Sequence, residues 1–298
     1  MKEIVILSGK GGTGKTSITA SLAWFARKEA VIADCDVDAA NLHLLFKPDM
    51  GTRKDFFSGY EVVIDKAKCI SCGKCEDVCA FNALEINQDG CMIDALSCEG
   101  CGYCTRVCPT GALSQKPALT GEVFESNTRV DMPLVHARME IGAENSGRMV
   151  TQLKKQGREL AKSLGKELLL VDGTPGIGCP VIASLSGADL VVLVTEPTLS
   201  GLHDLERVYL LVKRFGISAT CIINKSTLNE GITQQIKRYL KEKDIILIGE
   251  IPYHEAFVKA MVSGVTLPEY DPQLKKVLEE IYHSVRQNAL FPGVRMVH

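Results

Sequence analysis

The chain has 298 residues, 46% apolar and 23% charged, with a formal net charge of −2. That much apolar side chain supports packed cores in one large domain or two ordinary ones and excludes intrinsic disorder. The balanced, scattered charge excludes a non-specific nucleic-acid footprint, and the longest apolar runs, 168–171 and 190–194, are strand-sized rather than membrane-spanning. With no leader or membrane span legible after Met1, a cytoplasmic protein is expected, and twelve cysteines in a reducing compartment point to metal ligation rather than disulfides.

Ile4-Val5-Ile6-Leu7 predicts a buried strand that stops at Ser8-Gly9-Lys10-Gly11-Gly12-Thr13-Gly14-Lys15-Thr16, and Ser17 to Arg27 predicts an amphipathic helix. From Gly9 to Thr16 the spacing fits G-x-x-x-x-G-K-[ST], the phosphate loop, in its strand-loop-helix setting. Gly11, Gly12, Thr13, Gly14, Lys15, Thr16 and Ser17 are the candidate nucleotide-binding residues. Their backbone N–H groups turn toward one anion at the positive end of the helix, with Lys15 toward the β/γ-phosphates and the Thr16 hydroxyl on Mg²⁺. ATP or ADP with Mg²⁺ is the expected ligand. A second strand, Ala30 to Ala33, ends in Asp34-Cys35-Asp36-Val37-Asp38 at the edge where doubly wound sheets bind ligands. Asp38 is expected to start a helix.

Between about 60 and 116 the apolar periodicity breaks. Cys69, Cys72, Cys75 and Cys79 give C-x2-C-x2-C-x3-C, and Cys98, Cys101, Cys104 and Cys108 repeat it 29 residues later. The same offset carries Ile64-Asp65 onto Ile93-Asp94 and Ala83-Leu84 onto Ala112-Leu113, so the segment is an internal duplication. Three thiolates two residues apart wrap one cubane cluster while the fourth points at the cluster of the other half; a zinc site uses two separated pairs instead. Ala80 stands where Pro109 stands in the repeat, which predicts an offset between the two potentials. Cys35, Cys91 and Cys221 lie in or beside strand-like segments and read as apolar packing residues.

Farther on, Glu122 to Ser126 and Thr128 to Val130 read as strand material, and Glu144-Asn145-Ser146-Gly147 as a turn before an amphipathic helix reaching Leu164. Arg129, His136 and Arg138 are expected to be solvated. Leu168 to Val171 predicts a buried strand ending in Asp172-Gly173-Thr174-Pro175-Gly176. Strands at Leu190–Thr195 and Thr220–Ile223 follow, with helices over 201–215, 231–241 and 272–287. The alternation predicts an α/β fold with a doubly wound, mostly parallel sheet.

The loop Lys10-Gly11-Gly12-Thr13-Gly14-Lys15-Thr16 resembles the deviant phosphate loop of the MinD/ParA/Mrp ATPases, a class that includes the nitrogenase iron protein. The duplicated cysteine motif resembles the bacterial two-cluster ferredoxin. Together they imply a P-loop NTPase fold over 1–59 and 117–298 with a small α+β ferredoxin domain inserted at 60–116. The ferredoxin resemblance implies two [4Fe-4S] clusters with crossed ligands: Cys69, Cys72, Cys75 and Cys108 for one, and Cys98, Cys101, Cys104 and Cys79 for the other. The ATPase resemblance implies that Lys10 reaches the partner's phosphates in a homodimer formed on ATP, and that Asp36, with Asp34 as second choice, lies near the attacking water and Mg²⁺. Asp172 would be the Walker B residue, completing the Mg²⁺ set of Thr16, Asp36 and Asp172, with Gly173 and Gly176 in the switch segment. Asn224 would lie at the adenine, with the Ile251-Pro252-Tyr253 turn lining the base pocket. Cys179, seven residues after Asp172, is either a further metal or cluster ligand at the dimer axis or a plain thiol.

The C-terminal helix lacks a strongly basic face, so no stable membrane anchor is expected. The implied activity is Mg²⁺-dependent hydrolysis of ATP to ADP and phosphate, with Lys10, Lys15 and Asp36 catalytic, coupled to iron-sulfur redox chemistry and electron delivery to a partner protein. Two alternatives stay open: a factor that assembles or transfers iron-sulfur or metal centres to a client, and a redox-sensing regulator or positioning protein.

Overall fold

The computed structural model describes residues 1–88, 90–140 and 146–290; the Glu144-Asn145 half of the expected turn lies outside them. The strands are β1 (Lys2–Leu7), β2 (Ala30–Asp34), β3 (Thr52–Ile64), β4 (Leu84–Asn87), β5 (Gly90–Ile93), β6 (Leu113–Asn127), β7 (Pro133–Met139), β8 (Leu168–Asp172), β9 (Leu190–Thr195), β10 (Ser218–Ile223) and β11 (Ile246–Glu250). The helices are α1 (Lys15–Ala26), α2 (Leu42–Phe46), α3 (Lys74–Asp77), α4 (Tyr103–Val107), α5 (Ser146–Ser163), α6 (Cys179–Leu185), α7 (Leu199–Arg214), α8 (Glu230–Glu242), α9 (Ala256–Ser263), α10 (Leu267–Tyr270) and α11 (Pro272–Leu290). None of these helices is long and apolar enough to cross a membrane.

One sheet runs in the order β11-β10-β9-β1-β8-β2-β7-β6-β3, and β4 with β5 forms a two-stranded antiparallel sheet. The pairings of β1 with β8 and β9, of β2 with β7 and β8, and of β10 with β9 and β11 are all parallel. Parallel strands buried on both faces read as unbroken apolar runs, which is why β1, β2, β8 and β9 were legible from sequence. Ile4, Ile6, Ile32, Leu170, Val192 and Ile222 build one core with Ile18 and Leu22 of α1 and Leu278 and Ile281 of α11. Alternate residues turn to the opposite face, where α5 packs so closely that a Cβ on Gly157 would stand 2.9 Å from Leu169 Cδ1.

The chain divides into two compact units. One comprises Met1–Lys54, Val123–Arg138 and the chain from Ser146; the other comprises Asp55–Glu122 and, among the described residues, Met139 and Glu140. The second unit is wider than the expected 60–116, because β3 begins at Thr52 and β6 runs on to Asn127. β3 and the stretch of β6 from Ser114 to Leu119 are mostly exposed, so burial leaves no alternating pattern there to mark them; the strand expected over Glu122–Ser126 is the buried end of β6. The strand material expected from Thr128 to Val130 does not form: Thr128 and Asp131 close a tight turn, with Asp131 N–H donating to Thr128 O at 3.0 Å.

Two further expectations need correction. Asp38 starts no helix; α2 begins at Leu42, because the Asp34 carboxylate accepts from Leu42 N–H at 3.2 Å and from Asp36 N–H at 3.3 Å and so holds 36–41 as a loop. His136 is not solvated, whereas Arg129 stays exposed as expected but is paired. His136 is buried, stacked on Phe124 and bonded to Ser126 Oγ at 3.1 Å, while Arg129 makes a two-pronged pair with Glu269 and donates to Leu45 O.

Candidate functional site

The first unit gathers its polar residues at the carboxyl ends of β1, β2, β8, β9 and β10. Register does the work: Asp34 pairs with Asp172, and Ile6 with Asp172, so the strand-end carboxylates arrive beside the loop that follows β1. Gly14 precedes α1 at φ 88°, a conformation that favours glycine, and a Cβ there would stand 2.4 Å from Asn224 Nδ2. Phe257 Cε1 lies 3.4 Å from the same point, an aromatic neighbour that no motif announces.

Lys15 is the hub. Its ammonium is almost wholly buried and lies 2.9 Å from Asp172 Oδ1 and 3.2 Å from Asp36 Oδ2. Burial alone would lower its pKa, but Asp172 and then Asp36 outweigh it and hold the ammonium above its ordinary value. Asp172 also accepts from Thr16 Oγ1 at 2.8 Å and from Thr19 Oγ1 at 2.7 Å. Burial, then Asp172, pushes Asp34 up to about 8, and burial raises Asp36 against the pull of Lys15. With Asp34 turned to backbone N–H groups, Asp36 is the second-strand carboxylate that faces Lys15.

Two carboxylates, Asp36 and Asp172, against one ammonium leave a surplus of negative charge, which suits a divalent cation. Among the described residues no three His, Cys, Asp or Glu side chains are grouped to hold a metal ion by themselves. Mg²⁺ does not need such a cage, since it takes one or two protein oxygens and completes its shell with water and phosphate. Thr16, Asp36 and Asp172 therefore fit a nucleotide-borne Mg²⁺.

The loop is braced from β9 and β10. Asn224, fully buried, donates from Nδ2 to Thr13 O at 2.8 Å and accepts Lys225 N–H on Oδ1 at 2.9 Å. Lys225 Nζ donates to Gly12 O at 2.8 Å and pairs with Glu196 at 2.7 Å. Ile251 N–H donates to Ile223 O at 2.9 Å, which brings exposed Pro252 and Tyr253 beside Asn224. Lys10 folds back on its own chain, 2.7 Å from Glu196 Oε1, 3.0 Å from Thr198 Oγ1 and 2.9 Å from Ser200 Oγ. The switch segment is tied to the same place: Gly173 N–H donates to Ile6 O at 3.0 Å and Gly176 N–H to Ser8 O at 2.9 Å. Sequence reasoning missed Thr19, Glu196, Thr198, Ser200 and Lys225; only the strand-end position of Glu196 and Lys225 hinted at them. Gly11 is exposed, Ser17 half-buried, and Cys179 exposed as the first residue of α6.

In the second unit the duplication is visible in the backbone. Asp65 N–H donates to Ala112 O at 2.7 Å, and 29 residues on, Asp94 N–H donates to Ala83 O at 2.9 Å. Each half thus pairs with the other, and Gly73 and Gly102, at φ 78° and 73°, turn the chain into the equivalent short helices α3 and α4. Cys69, Cys72, Cys75 and Cys108 line one cavity together with Ile64, Ile86 and Cys91. Burial, then the neighbouring Cys98 and Cys101, raises the Cys104 thiol. Cys79 Sγ accepts Ala83 N–H at 3.3 Å in the same apolar core.

Backbone N–H groups of Ser71 and Cys91 aim at the Cys69 sulfur and lower its pKa. Burial pushes Cys108 up, but the N–H of Leu113 and the hydroxyl and N–H of Thr110 overcome it and bring the thiol down to about 7. Sulfurs that receive backbone donors are suited to carry thiolate charge. Among the described residues no three of these side chains are grouped around one ion, whereas a cubane takes one thiolate on each of four separate irons. The donor set fits that group. Cys91 packs in the apolar core of this unit, as expected, and also lines this cavity.

A mostly parallel sheet with a phosphate loop after an inner strand, and a strand-end aspartate on the loop lysine, defines a P-loop nucleotide-binding protein. The family model of the CobQ/CobB/MinD/ParA nucleotide-binding domain matches residues 4–267, and the chain belongs to that family of ATPases. A Methanocaldococcus jannaschii protein, MJ0578, is 33% identical over 291 residues, covering 96% of each chain. MJ0547 of the same organism, described as an ATP-binding protein, is 26% identical over 268 residues, covering 89% of this chain and 79% of its own. The fold is similar to that of the septum site-determining protein MinD of Pyrococcus horikoshii with Mg-ADP, at TM-score 0.57 and 20% identity, covering 97% of each chain. It is also similar to the Aquifex aeolicus MinC:MinD complex, at TM-score 0.56 and 16% identity, covering 100% of this chain and 99% of that one.

Proposed function

We propose that the chain is a Mg²⁺-dependent ATPase that closes into a homodimer on ATP and couples that cycle to two [4Fe-4S] centres, delivering electrons to a partner protein in the cytoplasm. The observation that carries the redox half is the cavity lined by three cysteines of one motif, Cys69, Cys72 and Cys75, and one of the other, Cys108. A two-cluster ferredoxin needs this crossing, and the exchanged backbone bonds at Asp65 and Asp94 support the counterpart set of Cys98, Cys101, Cys104 and Cys79. Bound there, the clusters supply one-electron chemistry.

For the ATPase half, Lys15 gives up part of its pairing with Asp36 and Asp172 to the β/γ-phosphates, while the loop amides hold the phosphate oxygens. Thr16, Asp36 and Asp172 would hold Mg²⁺, which neutralises phosphate charge. Asp36 orients the attacking water, whose oxygen bonds to the γ-phosphorus as the bond to the bridging oxygen breaks, giving ADP and phosphate. Asn224 and Pro252 border the adenine. Lys10 leaves Glu196 to reach the partner copy's phosphates. The Aquifex aeolicus MinD structure holds MinC, and a protein client recognised in the closed state is the corresponding reading here.

A second reading is favoured by the exposure of Cys72, Cys101 and Cys179: the centres, or a metal held between copies at Cys179, are handed to a client. Two measurements on reconstituted protein under anaerobic conditions test both. Lys15→Ala is expected to abolish ATP turnover and leave the cluster spectra intact; loss of the spectra would contradict separate units. On ATP addition, electron transfer reads out as a change in cluster reduction with iron retained, and handover as iron captured by a chelator or apo-acceptor. Loss of that capture in Cys179→Ala would assign Cys179 to the handover, and unchanged capture would remove it.

A further inference from the structure

The two cysteine sets are related by the 29-residue repeat, but their surroundings are not. Cys91 is 1% exposed, in β5, and its sulfur lies 3.7 Å from Cys75 Sγ, within hydrogen-bond distance for sulfur. Its neighbour Gly90 is so close that a Cβ there would be 3.7 Å from Cys69 Sγ. One repeat earlier the same position is Val62, also buried in the apolar core of this unit. The set of Cys69, Cys72, Cys75 and Cys108 therefore has a fifth thiol against it, where the repeat-equivalent position carries Val62.

Four thiolates complete a cubane, so Cys91 is surplus to ligation. Its S–H is a weak donor, and its other acceptor within reach is the carbonyl of Met92 at 3.6 Å. A cluster-bound Cys75 thiolate carries charge and competes well against that neutral carbonyl. Donors to cluster sulfurs favour the reduced, more negative state. We propose that Cys91 donates its S–H to Cys75 and holds the potential of this centre above the value it would have with an apolar neighbour, making the two centres unequal. The proposal rests on the two-cluster reading above. Reduction adds one electron from an external donor, taking the cluster from [4Fe-4S]²⁺ to [4Fe-4S]¹⁺; no bond breaks, and Cys91 keeps its proton. Electrons entering the unit then settle first at or away from this centre according to one side chain.

The test is a dithionite titration of full-length reconstituted protein followed by electron paramagnetic resonance, on wild type, Cys91→Val and Cys91→Ser. Cys91→Val copies the repeat and keeps the packing volume close. It is expected to retain full iron and to lower one midpoint only, by about tenfold in the reduction equilibrium, or about 59 mV for one electron. Cys91→Ser keeps a donor and is expected to hold that midpoint at or above the wild-type value. Unchanged midpoints in Cys91→Val overturn the proposal, and so does loss of half the iron in both variants, which would make Cys91 a ligand. Wild type that takes up no clusters would instead overturn the two-cluster reading itself.

Discussion

Lys15 is held by Asp172 at the end of β8 and by Asp36 in the loop after β2, so its removal leaves Asp172 buried without a cation and, on the proposed reading, strips the phosphate contact. Lys15→Ala is expected to lower ATP turnover by at least about 10²–10³-fold in a phosphate-release assay. His136 gives a pH signature in the same unit. Burial, then His43 and Arg138, lowers its pKa to about 4 from the ordinary value of 6.5. The folded protein therefore refuses a proton that the unfolded chain accepts between about pH 6.5 and 4, and stability drops as the pH is lowered across that window, by at most about 3 kcal/mol. Denaturant midpoints measured at pH 7 and pH 4.5 should differ less in His136→Phe than in wild type. The phosphate-loop residues and the eight repeated cysteines could be named from spacing alone, because glycines and thiols at fixed intervals have few other uses. Thr19, Glu196 and Lys225 could not, since a threonine in a helix or a lysine after a strand carries no pattern until register brings it to the loop.

At the scale of elements, α5 is locked to β1 and α6 through one buried cation. Lys154 Nζ lies 2.7 Å from Glu3 Oε1 and donates to the carbonyls of Ala183, Ser184 and Ser186 at the end of α6. Arg158 adds a 2.6 Å contact to Glu3 Oε2. Those carbonyls are the unpaired acceptors that any helix end must satisfy, and here the cation also neutralises a buried glutamate. Lys154→Met should cost about 1–3 kcal/mol, because the carbonyls of Ala183, Ser184 and Ser186 lose their buried donor while Glu3 keeps only Arg158; an unchanged urea midpoint would contradict the lock. The strands β1, β2, β8, β9 and β10 and the helices α1, α5, α7, α8 and α11 were legible within a few residues, whereas β7, β11, α6 and α9 were not. β3 and the first half of β6 were not legible either, since mostly exposed residues give no period, and the insertion boundary moved with them.

For the whole molecule, the fold and family establish a MinD/ParA-type ATPase, while the dimer and the clusters are the proposal built on them. Lys10 is paired within its own chain by Glu196, Thr198 and Ser200, so closing a dimer must exchange those contacts for the partner's phosphates. Lys10→Ala is expected to bind ATP yet sediment as a monomer with ATP present, whereas wild type dimerises; equal dimerisation of the two would remove Lys10 from the interface. Whether such a cycle drives iron-sulfur chemistry depends on the second unit, whose swapped backbone pairing and shared thiol cavity are its strongest physical argument. The most direct measurement is iron and acid-labile sulfide per chain after anaerobic reconstitution. The account predicts about eight of each, four per cubane, falling to about half when Cys98 and Cys101 are both changed to Ala. A chain that binds zinc, a single iron or no metal would contradict it.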